Sequence, residues 1–301
     1  PSIFFGPLVY KLKGLWNAKS YLVLRDFFPQ WAVDNGLLRK HSLITYYFKF
    51  FERINYISAD VIGVMSSKNL EWFGTYYNAD KELEVLYNWS VVHLTHNNGS
   101  NNFRQNLGLD NKVIYFYGGN LGHAQDMMNL IRLAKNMQQD IRAHFVFVGE
   151  GDEVDLIQDA IIKYGLQNVT LLPSVSQKEY KKMLVEFDVG LFTLHKNHKT
   201  HNFPGKILGY MLNEIPILGS INYGNDLKDI VEEFDAGYIC INGEDDLLVS
   251  KAKKLLDKEC RERIGMNARK LLTDKFSVDK ASIQILEKFN RSCKVSSQLT
   301  E

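Results

Sequence analysis

From Lys112 onward, short apolar runs alternate with helical patterns, and that alternation restricts the chain more than any other feature. "KVIYFY" (112–117), "HFVFVG" (144–149), "NVTLLP" (168–173), "VGLFTL" (189–194), "IPILGS" (215–220) and "AGYICI" (236–241) each have the length and continuity of a buried strand. Between the first two, Met127, Leu130, Ile131, Ala134 and Met137 fall on one helical stripe. Val154, Ile157, Ile161 and Tyr164 form the next stripe, which Gly165 closes as a C-cap. Ser176 stands three residues before Glu179, a capping-box spacing that starts a third helix. "FPGKILGYML" reads as a helix opened by Pro204, and further helices follow near 245–257 and 260–272. Strands alternating with helices predict an α/β domain with a parallel sheet covered on both faces. Ligands of such sheets sit beyond the carboxyl ends of the strands.

Residues 1–90 are more aromatic and less regular. Strands are expected over 19–26, 59–66 and 82–89, with a helix from about Leu43 to Tyr56. This is the material of the later half of a doubly wound domain. The Asn-rich stretch 91–111 lacks periodicity and reads as a connection. The expected division is 1–90, a partial N-terminal acceptor-side domain; 91–111, the connection; 112–275, the larger ligand-binding domain; 276–290, a helix; and 291–301, a tail.

Charge excludes one class of function. Lys+Arg 36 against Asp+Glu 35 leaves a formal charge of +1, without the basic excess of a nucleic-acid binder. Cys240, Cys260 and Cys293 show no metal-ligand spacing and read as reduced thiols in the cytoplasm. The sequons at Asn88, Asn98, Asn168 and Asn290 are then chance. No apolar run reaches membrane-spanning length. The first residue is Pro1, which points to a missing N-terminal segment.

Four stretches carry candidate chemistry. In "FYGGNLGHAQDM" (116–127) glycines end a strand just before a helix, so Gly118, Gly119, Asn120 and Gly122 form either a tight turn or a phosphate cradle. Lys206, in Pro204-Gly205-Lys206, is either an anion-binding ammonium or a solvated lysine at a helix start. Arg25 and Asp26 end a strand; Asp26 either takes a proton or, with Arg25, braces the "FFPQW" turn. "FFGPLVYKLKGLW" (4–16) mixes aromatic and basic residues and suits either a membrane interface or a packed helix.

"YFYGGNLGHAQ", "HFVFVGEGDE", "NVTLLPSVSQKEYKKMLVEFDVGLFTL" and "FPGKILGYMLNEIPILGS" occur in the order and spacing of a family 4 glycosyltransferase, which the chain resembles over nearly its whole length. "LRDFFPQWAVDNGLL" (24–38) resembles a subgroup of bacterial O-antigen and capsule transferases that includes the L-fucosamine transferases. The resemblance implies the GT-B fold: two Rossmann-like doubly wound domains, the N-terminal one incomplete. It implies a retaining enzyme with no cofactor and no metal. Such an enzyme moves a sugar, here an N-acetylated 6-deoxyhexosamine, from a UDP-sugar donor to a polyprenyl-diphosphate-linked saccharide at the inner face of the cell membrane.

The resemblance also implies roles. Arg25, Asp26 and Lys206 become the catalytic candidates. Gly118, Gly119, Asn120, Gly122 and Lys206 meet the diphosphate; Gly149, Gly151, Ser174 and Val175 form the base pocket; His201, Pro204, Gly205 and Gly209 border the sugar and ribose. Three departures stand out. The family's Arg and Lys in the glycine turn are replaced by Asn120 and Gln125, and the two glutamates of its Glu-x7-Glu motif by His201 and Gly209. Ribose recognition then moves elsewhere, with Glu214 the candidate. His195, His198 and Lys199 make the nearby loop His-rich, but the chain has no Asp-x-Asp pair. The competing readings are a degenerate, non-catalytic GT-B partner subunit and, among enzymes, a phosphorylase or epimerase; the motifs disfavour the epimerase.

Overall fold

The computed structural model describes residues 3–34, 36–77, 81–93, 102–198, 201 and 203–298, with side chains to residue 290. Asn98, Lys199 and the middle of the expected connection lie outside them. The chain divides into two units: residues 1–89, 199–203 and 278–301 form one, and residues 90–198 and 204–277 the other.

The larger unit is built on six parallel strands: β4 (Val113–Gly118), β5 (Ala143–Val148), β6 (Val169–Leu172), β7 (Val189–Thr193), β8 (Ile217–Ile221) and β9 (Gly237–Ile241). Their order is β6-β5-β4-β7-β8-β9. The chain lays β5 and β6 on one side of β4, then crosses to lay β7, β8 and β9 on the other. Strand order reverses between β4 and β7, which is where doubly wound sheets open a crevice. Every residue of β4, β5, β7 and β8 is buried, so these strands read as unbroken apolar runs.

Polar groups fix the strands in register. Arg104 donates to the Lys112 carbonyl (2.7 Å) and to Asp188 (2.7 Å), while Asp188 also accepts the Ile114 N–H (2.8 Å). Buried Tyr115 donates to the Ala252 carbonyl (2.7 Å). The capping box at Ser176 and Glu179 is present in full, and Gly165 caps its helix at φ +60°. The helix expected from Pro204 begins two residues later and spans Lys206–Leu212.

The smaller unit has three parallel strands in the order β1 (Tyr21–Leu24), β2 (Val61–Val64), β3 (Glu82–Val85). Helices Gly6–Trp16, Gln30–Asp34, Leu43–Ser58 and Ser67–Tyr76 accompany them. The last helix, Val278–Gln298, groups with this unit: Gln284 donates to the Val85 carbonyl (2.8 Å), and Lys288 pairs with Glu82 and Glu84. Glu52 is buried and accepts from the Tyr56 hydroxyl (3.0 Å); burial pushes its carboxyl up to about 7.

Candidate donor-binding site

A cavity of about 540 Å³ opens beyond the C-terminal ends of β4, β5 and β6. Gly118, Gly119 and Asn120 come from the end of β4; Val148, Gly149 and Glu150 from the end of β5; Ser174, Val175, Gln177 and Tyr180 from the segment after β6; and Lys206 from the segment after β7. The expected residues Gly118, Gly119, Asn120, Gly149, Ser174, Val175 and Lys206 therefore meet at one place. Gly122, Gly151, Pro204, Gly205 and Gly209 do not line it.

The glycine turn differs from the cradle that the resemblance implies. Its N–H groups are largely used inside the protein. Gly119 donates to the Val148 carbonyl (2.9 Å), Leu121 to the Glu150 carbonyl (2.8 Å) and His123 to Asp152 (3.2 Å). The following helix starts only at Met127, whose N–H donates to Glu153 (2.9 Å), so its terminus already has its anion. Asn120 and Gln125, where the resemblance leads one to expect cations, bond to each other (2.8 Å) and brace the turn. Gly151 and Gly122 are packing glycines: a Cβ at Gly151 would overlap the Leu121 carbonyl, and one at Gly122 would crowd Asp152. Gly119 is different. At φ +126° it takes a conformation suited to glycine, and its open side faces the Lys206 ammonium, 3.5 Å from where a Cβ would stand.

Lys206 is the cation of this cavity. Its Nζ lies 3.3 Å from the centroid of the Tyr117 ring, and it forms no ion pair among the described residues. Burial pushes its ammonium down to about 7. The ring face offsets part of the lost hydration. A desolvated charge without a counter-charge is costly, and an anion entering the cavity removes that cost. The seven-residue helix it opens is anchored by Tyr210, whose hydroxyl donates to the Leu191 carbonyl (2.9 Å). The ammonium, rather than the helix terminus, is the group available to an anion.

One expected role fails on position. Glu214 precedes β8 and so stands at the opposite sheet edge from the cavity, where it cannot hold a ribose. His201 groups with the smaller unit, where Asn69 brackets it: Asn69 Nδ2 donates to the His201 carbonyl (3.1 Å) and the His201 N–H donates to Asn69 Oδ1 (3.3 Å). The His-rich loop is tied down at two points. His195 N–H and His198 Nε2 both bond the Ala124 carbonyl (3.1 and 2.7 Å), and burial lowers His195. Among the described residues no group of three or more His, Cys, Asp or Glu could hold a metal ion.

Glu150, Gln177 and Tyr180 line the cavity although the sequence reading passed over them. The signals were there. Glu150 lies between Gly149 and Gly151, and it accepts from Ser174 Oγ (3.0 Å). The capping box fixes the helix start at Gln177, which puts Tyr180 in its first turn. A Cβ at Gly118 would overlap the Tyr180 ring, so this glycine serves packing against the wall.

In the smaller unit, Arg25 and Asp26 line a separate cavity of about 400 Å³ at the end of β1. Asp26 is exposed there. The "FFPQW" turn closes through its backbone, with Trp31 N–H donating to the Phe27 carbonyl (2.9 Å).

Comparison with known proteins agrees with this architecture. The chain is 23% identical over 86% of its length to a Pseudomonas aeruginosa protein named as the glycosyltransferase WbjE, and 22% identical over 81% to an Escherichia coli protein named as the colanic acid biosynthesis glycosyl transferase WcaI. It spans 65% and 61% of those two proteins. Among solved structures, Anabaena HepE in complex with UDP-glucose superposes with a TM-score of 0.71 at 18% identity, covering 95% of this chain and 76% of HepE. WaaG, a glycosyltransferase involved in lipopolysaccharide biosynthesis, gives 0.64 at 14% identity, covering 87% and 74%. These likenesses establish the GT-B fold. Residues 99–271, more than half of the chain, match the family described as Glycosyl transferases group 1, and the chain belongs to that family.

Proposed function

We propose that the larger unit binds the UDP part of a nucleotide sugar, and that the protein transfers that sugar to a lipid-linked saccharide during assembly of a bacterial surface polysaccharide. One observation carries the donor assignment: Lys206 is held without a counter-charge beside Gly119, at the strand-order reversal of a doubly wound sheet. The UDP-glucose seen in HepE and the colanic acid role in the name of WcaI support the substrate class. The resemblance supports an N-acetylated 6-deoxyhexosamine as the sugar and retention of configuration.

In the reaction the bond from the anomeric carbon to the diphosphate breaks, and the acceptor oxygen bonds to that carbon. Lys206 meets the charge that develops on the departing UDP. Asp26 takes the proton of the acceptor hydroxyl. Lys206 supplies the positive charge, so the reaction needs no divalent metal. The aromatic and basic segment 4–16 supports a peripheral seat on a membrane, and no helix among the described residues is long and apolar enough to cross one.

Lys206→Ala should weaken UDP binding by about 1.5–3 kcal/mol, the range for a hydrogen bond to a charged group, and a chelator should leave UDP affinity unchanged. Calorimetry measures both; unchanged affinity in the variant would move the diphosphate elsewhere. A degenerate partner subunit is the second reading, favoured by His201 and Gly209 at the two carboxylate positions. It requires that no UDP be released from any of a panel of UDP-sugars when an acceptor is supplied.

A further inference from the structure

The cavity at the end of β1 holds the other unpartnered cation of interest. None of the Arg25 guanidinium nitrogens has a hydrogen-bond partner among the described residues, and Nη1 is also shut off from solvent. The group lies 4.2 Å over the Trp89 ring. Unlike a lysine, an arginine cannot shed its proton to escape burial. Its unused donors therefore favour any anion that reaches them. Asp26 beside it is the acidic neighbour, but forms no ion pair with it.

The remaining wall is aromatic. Phe4, Phe28, Trp31, Phe48 and Tyr56 line the same space. Phe28 and Phe48 meet edge to face at 4.9 Å, and Phe4 packs beside Phe48 at 6.2 Å. Phe4 and Trp31 are also exposed at the surface, by 45% and 37%. From there apolar surface continues over the helices Gly6–Trp16 and Leu43–Ser58, where Leu8, Trp16, Tyr47 and Phe50 are exposed. One charged fork at the end of a strand, a ring of aromatic faces and an apolar approach describe a ligand with an anionic head and an apolar body.

We propose that this cavity is a second ligand site, which takes the phosphate of an amphiphilic ligand such as an isoprenyl phosphate on the Arg25 guanidinium, with the apolar part against the aromatic wall. Naming that ligand as the acceptor rests on the transferase reading above; the binding itself does not.

The test uses the full chain with farnesyl phosphate, farnesol and inorganic phosphate as probes. Binding is followed by calorimetry and by intrinsic tryptophan fluorescence, to which Trp31 in the wall and Trp89 under Arg25 contribute. Farnesyl phosphate should bind about tenfold or more tightly than either farnesol or phosphate alone. Arg25→Gln should erase the preference over farnesol while UDP affinity stays as in the parent. If Arg25→Gln does not fold, Arg25→Lys replaces it and should keep part of the preference, because it keeps the charge and loses the fork. Equal binding of farnesol and farnesyl phosphate would overturn the anion site. Inorganic phosphate binding as tightly as farnesyl phosphate would overturn the apolar part. Loss of UDP binding in the parent chain, with farnesyl phosphate binding intact, would sink the transferase reading and spare the cavity.

Discussion

Each unit of this protein sets one cation against the face of an aromatic ring at the carboxyl end of its sheet: Lys206 over Tyr117 in the larger unit, Arg25 over Trp89 in the smaller. The walls around them differ. Lys206 stands beside the open face of Gly119, among Asn120, Glu150, Ser174 and Gln177. Arg25 stands among phenylalanines, Trp31 and Tyr56. A wall with polar side chains reads hydrogen-bonding edges and suits a nucleotide; a wall of rings reads apolar area. The cations differ in the same sense. Lysine titrates when buried and offers a compact charge, whereas arginine stays charged and offers a planar fork. One arrangement is suited to a diphosphate that arrives and leaves in each turnover, the other to a ligand held by its body as well as its head.

The largest expected effect lies beside Arg25. Asp26→Asn should spare UDP binding and cut transfer by roughly 10²–10⁴-fold, the usual worth of general acid–base help. The measurement is turnover with a UDP-sugar and a lipid-linked acceptor, normalised to the folded fraction. Near-normal turnover would leave Asp26 as a surface group, and the smaller unit would then contribute binding without chemistry.

Next in size is a stability effect in the same unit. Glu52 is raised to about 7 by burial, and it holds the hydroxyl of Tyr56, a wall residue of the Arg25 cavity. A carboxyl raised in the folded state contributes stability that is fully present below its unfolded value, near 4.5, and lost as pH rises through about 7. Glu52→Gln stays neutral throughout, so it should gain about 2–4 kcal/mol relative to the parent on going from pH 4 to pH 8. Urea titrations of both proteins at the two pH values give this difference; parallel losses would mean that Glu52 is ionised in the folded protein.

Much of the larger unit was legible because strands buried on both faces must be apolar throughout, and each of the six runs is a strand. The Ser176 box was legible because capping is local chemistry. The helices Gln30–Asp34, Ser67–Tyr76 and Leu227–Glu233 were not; two have only five and seven residues, and the third holds its start through the single bond from Asn69 N–H to Ser66 Oγ. At the site, sequence could not separate a glycine needed by a ligand from one needed by a neighbour. Gly119 and Gly151 look alike as letters, yet one faces Lys206 and the other abuts Leu121. Nor could it show that the amides of the glycine turn are already bonded, because their partners at Val148 and Glu150 lie at and just beyond the end of another strand.

The smallest effect concerns the titration of Lys206, and it separates the two cations most directly. In the free protein its ammonium is lowered to about 7 by burial, so near pH 8 most molecules hold a neutral amine. A diphosphate favours the charged form and raises that value again. Binding of UDP above pH 7 must therefore take up close to one proton per molecule. Affinity should fall as pH rises, by at most about tenfold per pH unit, until the value of the bound form is reached. Below pH 7 the lysine is already charged and contributes no further slope. Calorimetry at pH 8 in two buffers of different ionisation enthalpy reads the uptake directly, and Lys206→Met should abolish it. Arg25 predicts the opposite behaviour for its own ligand, since a guanidinium stays charged across this range and binding there takes up no proton. Equal heats of UDP binding in the two buffers would mean that Lys206 remains charged in the empty cavity, with the Tyr117 ring offsetting its burial more fully than its position suggests.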